Sequence, residues 1–153
     1  MSVPKVRVFV DMDGVLADFE KLKVSMGVTG DEMKKLPGAF AKLEPIPGAL
    51  EGVRSLIGMG FEVWIATKPP TGIPHAYAEK ADWILRHLPE LKRNIILTHN
   101  KGLLGCSRDY LIDDRPHKAF CQEFRGKLIP FINGKTWGDV LAQIRNERTA
   151  AML

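Results

Sequence analysis

The sequence predicts an α/β domain, doubly wound around a mostly parallel, Rossmann-like sheet. Three observations carry this expectation. Short apolar runs at 6–10, 61–66, 95–97, 110–112 and 128–132 read as strands, segments with helical apolar spacing alternate with them, and the connections are short. Right-handed crossovers between successive parallel strands then imply helices on both sides of the sheet.

The first strand carries Val6, Val8, Phe9 and Val10 as a near-continuous apolar run, the pattern of a strand buried on both faces, and stops at Asp11. From Gly48, Leu50, Val53, Leu56 and Ile57 recur at helical spacing up to Gly60, and the run 61–66 follows as a second buried strand ending at Thr67. Pro69-Pro70-Thr71-Gly72 reads as a turn. Tyr77, Ala81, Ile84, Leu85 and Leu88 mark an amphipathic helix closed by Pro89, with a short strand at 95–97 after it. Tyr110-Leu111-Ile112 forms the next strand and runs into Asp113-Asp114. A helix near 117–124, a strand at 128–132 and a last helix sharing Trp137, Val140, Leu141 and Ile144 on one face complete the order.

The stretch from 27 to 43 breaks the alternation. It holds Gly27, Gly30, Pro37 and Gly38, a short helix-like piece at 31–36 and no strand. We read it as an insertion, spanning about 20–43, over the carboxyl rim of the sheet in a single domain of residues 1–153. Ligands in such sheets bind beyond the carboxyl ends of the strands, where Asp11, Asp13, Thr67, Asp113 and Asp114 all fall.

Composition excludes several classes. Apolar residues make up 45% and charged residues 26% of 153, which matches one ordinary globular core. No apolar run approaches a membrane span, and the opening Met1-Ser2-Val3-Pro4-Lys5 leads into a strand-like segment rather than a signal peptide, so a cytoplasmic protein without membrane association is expected. Cys106 and Cys121 have neither CxxC nor zinc spacing, which argues against a disulfide framework or a structural zinc. A net charge of +4 is compatible with nucleotide or nucleic-acid partners without selecting them.

The segment Asp11-Met12-Asp13-Gly14-Val15-Leu16-Ala17-Asp18-Phe19 holds two carboxylates at i and i+2 just past a buried strand. One can attack phosphorus while the other exchanges protons, and the following backbone amides can face an anion. The bland reading is that Asp13 only caps the next helix. Asp113 and Asp114, also at a strand end, could complete a hard-cation site with Asp11 and the Asp13 carbonyl, and magnesium prefers such oxygen ligands. Thr67 could give its hydroxyl to a phosphate oxygen beside the amide of Lys68. Lys101, in Thr98-His99-Asn100-Lys101-Gly102, could neutralise phosphate charge or orient the nucleophilic carboxylate.

In this order the four elements resemble the haloacid dehalogenase (HAD) superfamily: an acid pair spaced by one residue, a Ser/Thr, a Lys and a second acidic pair, each at or after a strand end. DMDGVLADFE, LEPIPGAL, the helix with Glu79-Lys80 and Trp83, IILTHNK and LIDDRP narrow the resemblance to the 5′(3′)-deoxyribonucleotidase family, from Val6 to about Ile144. The resemblance implies a HAD-like core that removes phosphate from nucleoside monophosphates with Mg2+. It implies Asp11 as nucleophile, Asp13 as general acid and base with its carbonyl on the metal, and Thr67, Lys68 and Lys101 at the phosphate. Asp114 is then the direct metal ligand with Asp113 its neighbour, and Phe19 lies near the substrate or, in the bland reading, in the core. Two departures stand out: the residue after Thr67, commonly Ser, is Lys68, and the segment between Phe19 and Leu43 is much shorter than the family's helical cap.

The reading that follows is a two-step hydrolysis of a small phosphomonoester through an aspartyl-phosphate. A phosphatase for another phosphoester or a nucleic-acid terminal phosphate is the alternative, and a phospho-accepting receiver is a third reading, against which the motif order argues. A homodimer is compatible with the sequence. Trp64, Trp83 and Trp137 are expected in packing, the four histidines form no ligand set, and Lys34, Lys35 and Lys42 read as a solvated face.

Overall fold

A computed structural model describes residues 4–151; the opening Met1-Ser2-Val3 and the last two residues of the expected domain lie outside the described residues. Five strands, β1 (Arg7–Val10), β2 (Glu62–Thr67), β3 (Ile95–Leu97), β4 (Tyr110–Asp113) and β5 (Lys127–Pro130), form one sheet in the order β3-β2-β1-β4-β5, with every neighbouring pair parallel. The order reverses at β1. In a doubly wound sheet that reversal opens the crevice where ligands sit, and Asp11 is the first residue past the end of β1.

Among the described residues five α-helices accompany the sheet: α1 (Phe19–Met26), α2 (Gly30–Lys35), α3 (Ala49–Gly58), α4 (Pro74–His87) and α5 (Trp137–Ala151). Local signals explain their limits. Asp18 caps α1 by accepting from the Lys21 amide at 3.0 Å, and Gly27 closes it in the left-handed region. Thr29 and Glu32 form a reciprocal capping box on α2. Pro74 occupies the first turn of α4, whose intrahelical bonding ends at Leu88, before Pro89.

Successive strand residues point to opposite faces, and the two faces are covered differently. Val8, Val10, Val63, Ile65 and Ile112 belong to a large cluster with Val53 and Leu56 of α3, Trp83 and Ile84 of α4, and Val140 and Ile144 of α5. Phe9, Ala66 and Leu111 instead meet Cys121 and Phe124, with Leu104 packed alongside. The connections after β3 and β4 carry only short 3-10 turns, Lys101–Leu103 and Cys121–Glu123.

This corrects the expected helix at 117–124. Ala119 and Phe120 have φ of 51° and 58°, which a right-handed helix does not admit, and only the single turn at Cys121–Glu123 remains helical. Cys121 and Phe124 nevertheless bury against the sheet. The last strand also ends earlier than 132, since Pro130 is the last residue paired with β4.

Trp83 and Trp137 are buried in the packing, donating Nε1 to the Leu43 and Val15 carbonyls at 2.8 Å each. Trp64 is only half-buried and donates to the Glu62 carboxylate at 3.0 Å. Gly52 has no side chain where the Trp137 ring lies, and a Cβ there would overlap that ring. Through Val15, Trp137 thus fixes the loop that follows β1. Among the described residues no helix is long and apolar enough to cross a membrane.

Candidate active site

The loop after β1 folds back on itself. Leu16 and Ala17 amides donate to the Met12 carbonyl at 2.8 and 2.9 Å, and the Gly14 amide donates to Ala17 at 2.8 Å. Gly14 takes φ of +83°, and a Cβ there would collide with the Asp114 carboxylate, so glycine is required on both counts. The cap of α1 is Asp18; Asp13 is therefore free of the capping role that was its bland alternative.

Asp11 is anchored by its amide, which donates to the Ile112 carbonyl at 2.9 Å. Its side chain meets Lys101, whose ammonium donates to Asp11 Oδ1 at 2.7 Å and to Asp113 Oδ2 at 2.5 Å. All three side chains are nearly sealed from solvent. Lys101 is held there by its turn: its amide donates to the Ala119 carbonyl at 2.8 Å, and Asn100 accepts from the Gly102 amide at 2.9 Å. The left-handed backbone at Ala119 and Phe120 aims that carbonyl at the lysine turn, and Gly102 passes so close to the Phe120 carbonyl that a Cβ would not fit.

The charges shape each other. Burial pushes the Asp11 carboxyl up, and Asp113 adds to this, while Lys101 opposes both. For Lys101, burial works against the charge, but Asp11 and Asp113 outweigh it and raise its pKa. The Asp114 carboxyl is pushed up to about 8 by burial, by the neighbouring Asp11 and by Asp113. The Cys121 thiol, buried below and close to Asp113, is pushed up to about 12 by burial first and Asp113 second, and stays protonated. Asp113 also accepts from the Arg115 amide at 2.8 Å, which fixes it as a partner of Lys101.

Asp11, Asp113 and Asp114 each present a carboxylate oxygen within 4.8 Å of the others. Three acids with one ammonium among them leave uncompensated negative charge. The donor set, all hard oxygens, fits a divalent cation such as magnesium. The Asp13 carboxylate stands apart from this group, turned to a different cation.

That cation is Lys80 of α4. Its Nζ, on a side chain 1% exposed, donates to Asp13 Oδ2 at 2.5 Å and to Thr67 Oγ1 at 3.0 Å, and it lies 4.6 Å from the centroid of the Phe40 ring. Asp13 Oδ1 is buried with no hydrogen-bond partner among the described residues. Sequence reasoning did not single out Lys80 as a site residue. The available signal was a lysine on the helix face otherwise set by Ala76, Trp83 and Ile84, where a core residue is expected.

A cavity of about 430 Å3 opens over these groups and brings together Asp11, Asp13, Thr67, Lys101, Asp113 and Asp114. Lys68 is exposed at its edge. Phe19 is not in the wall. It is buried at the start of α1, 6.0 Å from the ring of Phe40, and Phe40 is the aromatic residue that lines the cavity. The expectation of Phe19 beside a ligand gives way to its core alternative because its ring points into the packing against Phe40. Lys34 and Lys35 line the cavity rather than a detached face, whereas Lys42 lies in a separate small cleft with Asp18 and Glu44.

The model of the family described as 5′ nucleotidase, deoxy (pyrimidine), cytosolic type C protein matches residues 32–137, more than half of the chain. The chain belongs to the 5′(3′)-deoxyribonucleotidase family. The cytosolic-type 5′(3′)-deoxyribonucleotidase of Homo sapiens is 37% identical over 145 residues, covering 72% of this chain and 71% of the human protein. The mitochondrial 5′(3′)-deoxyribonucleotidase of Mus musculus is 31% identical over 144 residues, covering 72% of this chain and 64% of the mouse protein. A hydrolase from Pseudomonas syringae shares the fold, with a TM-score of 0.53 at 12% identity over 91% of this chain and 90% of that one. As a 5′(3′)-deoxyribonucleotidase family member, the chain is a phosphoric monoester hydrolase on a HAD-like α/β fold.

Proposed function

We propose that this deoxyribonucleotidase relative hydrolyses nucleoside monophosphates with magnesium, through an aspartyl-phosphate on Asp11. The observation that carries the reading is the division between the two acids of the first loop. Asp11 is paired with Lys101 inside the acidic cluster, while Asp13 is held through Oδ2 by Lys80 and keeps Oδ1 without a partner. One carboxylate is set to attack and the other to carry a proton.

In the first step an Asp11 oxygen forms a bond to phosphorus as the bond from phosphorus to the nucleoside oxygen breaks. A proton on Asp13 Oδ1 moves to that leaving oxygen. In the second step Asp13 takes a proton from water, the water oxygen attacks phosphorus, and the acyl-phosphate bond breaks to return the Asp11 carboxylate and release phosphate. Lys101, the Thr67 hydroxyl and the amide at Lys68 bind the phosphate oxygens and are preorganised by the strand ends they stand on. Asp11, Asp114 and the main-chain carbonyl of Asp13, with Asp113 behind them, are the residues to hold magnesium, which when bound offsets phosphate charge. The segment 20–43 serves as a reduced cap that supplies Phe40 to the cavity. The free thiols Cys106 and Cys121 accord with action in the cytoplasm.

A phosphate-release assay with magnesium on ribo- and deoxynucleoside monophosphates tests the reading. Turnover of several monophosphates is expected, with Asp11→Asn inactive and still folded, because the amide is nearly the same size and a poor nucleophile. A folded Asp11→Asn enzyme that retains turnover removes Asp11 from its role.

A further inference from the structure

The cavity wall away from Asp11 and Asp13 is basic where a nucleoside site would be aromatic. Lys34 and Lys35 of α2 line it together with Lys68, Arg115 and Lys118, against a single outer acid, Asp31. Among the described residues none of these five cations forms an ion pair. The one aromatic in the wall, Phe40, is 1% exposed, with the Lys80 ammonium against its ring, so it presents almost no face on which a base could stack.

Such a rim does little for a neutral base. It does recognise phosphate, through charge-assisted hydrogen bonds from mobile ammonium groups and a guanidinium. The catalytic phosphate is already served by buried Lys101 and the strand end at Thr67 and Lys68, and Lys34, Lys35 and Lys118 therefore lack an anion in a monophosphate complex.

We propose, resting on the phosphatase reading above, that the preferred substrate is a small phosphomonoester carrying a second phosphate group, of the class of nucleoside 3′,5′-bisphosphates. The scissile phosphate lies at Asp11 and the second on the rim formed by Lys34, Lys35 and Lys118. A cavity of about 430 Å3 leaves room for the nucleoside between them. A nucleic-acid strand would draw on free cations continuing beyond the cavity, and a phosphorylated oligonucleotide is therefore included in the test as the competing occupant.

The test measures kcat/KM with magnesium for thymidine 5′-monophosphate, thymidine 3′,5′-bisphosphate and a 5′-phosphorylated decathymidylate, each at two salt concentrations. Calorimetry on Asp11→Asn gives the two nucleotides' binding constants without turnover. The bisphosphate is expected to exceed the monophosphate by about tenfold at low salt, with the gain shrinking as salt rises. The double variant Lys34→Ala/Lys35→Ala should remove that gain while the monophosphate value stays within about twofold, and Lys34→Arg/Lys35→Arg should retain it. Equal values for the two nucleotides in the wild type, or a gain untouched by the alanine pair, overturn the proposal, as does a decathymidylate that outruns the bisphosphate. If neither nucleotide turns over but calorimetry keeps the bisphosphate preference, the reaction is wrong and the ligand class stands.

Discussion

The ammonium of Lys80 lies 2.5 Å from Oδ2 of Asp13 although 67 residues separate them, which ties helix α4 to the loop after β1. The contact leaves Asp13 one free oxygen and fixes where it points. Replacing Lys80 with Met should therefore lower kcat by about 10²-fold, the size of effect seen when one preorganised electrostatic group is lost. Steady-state phosphate release alongside a thermal melt checks this. A rate within about threefold of wild type would reduce Lys80 to a packing residue.

Lys101→Met should damage both fold and activity. The variant leaves Asp11 and Asp113 buried without their shared cation, and removing one partner of a buried ion pair costs about 3–5 kcal/mol. Adding magnesium should recover much of the lost Tm, more than it raises the wild type, because a cation bound by the native acids stabilises the native state by mass action. Melts with and without the ion decide. Equal shifts in the two proteins would argue that the acidic cluster does not take the metal.

Gly52→Ala should destabilise by about 1–3 kcal/mol, the usual cost of forcing a methyl into a packed interior. The new Cβ meets the Trp137 ring, and that ring holds the Val15 carbonyl at 2.8 Å, so the reaction loop should loosen with it. Urea unfolding measures the first effect and kcat the second. An unchanged midpoint would mean that α3 and α5 can part at no cost.

Asp109 contributes a pH dependence far from the site. Burial tends to raise its carboxyl, but the amides of Arg7 and Cys106, at 2.9 and 2.8 Å, and the Arg7 guanidinium outweigh this and hold it below the ordinary carboxylate value. A native pKa lower than the unfolded one stabilises fully above the unfolded value, about 3.9, and the benefit disappears as pH falls through the native value. Asp109→Asn should cost about 1.5–3 kcal/mol at neutral pH, mostly from the two amide bonds because Arg7 is part-exposed. It should also flatten the stability profile on the acid side. Denaturant titrations at pH 7, 5 and 3 give both, and parallel profiles for the two proteins would exclude Asp109 as the source.

Much of the site was legible because parallel strands place their ends on one rim. Asp11, Thr67 and Asp113 each stand at the point where an apolar run turns polar, and the fold class follows from the same runs. Lys80 was not legible in this way, since a lysine inside a helix has no local mark of its partner; only the packing of α4 against the loop brings it to Asp13. The helix misread at 117–124 has a related cause. The left-handed conformation of Ala119 and Phe120 answers to the Lys101 amide, a contact outside the window in which apolar spacing is read. Phe19 and Phe40 both bury, and only the packing of α1 against the segment after α2 shows that Phe40 is the one of the two bordering the cavity.

The central place of β1 also dictates when the enzyme can become active. Val8 pairs with Val63 on one side and with Tyr110 on the other, a partner 102 residues away. Lys101 and Asp113 arrive with that second pairing, so a chain folded only as far as β3 leaves Asp11 without either of them. Non-local pairing of this kind is slow to form. Catalytic competence thus requires the β1–β4 seam, and recovered turnover after dilution from denaturant should report its closure rather than the growth of helices.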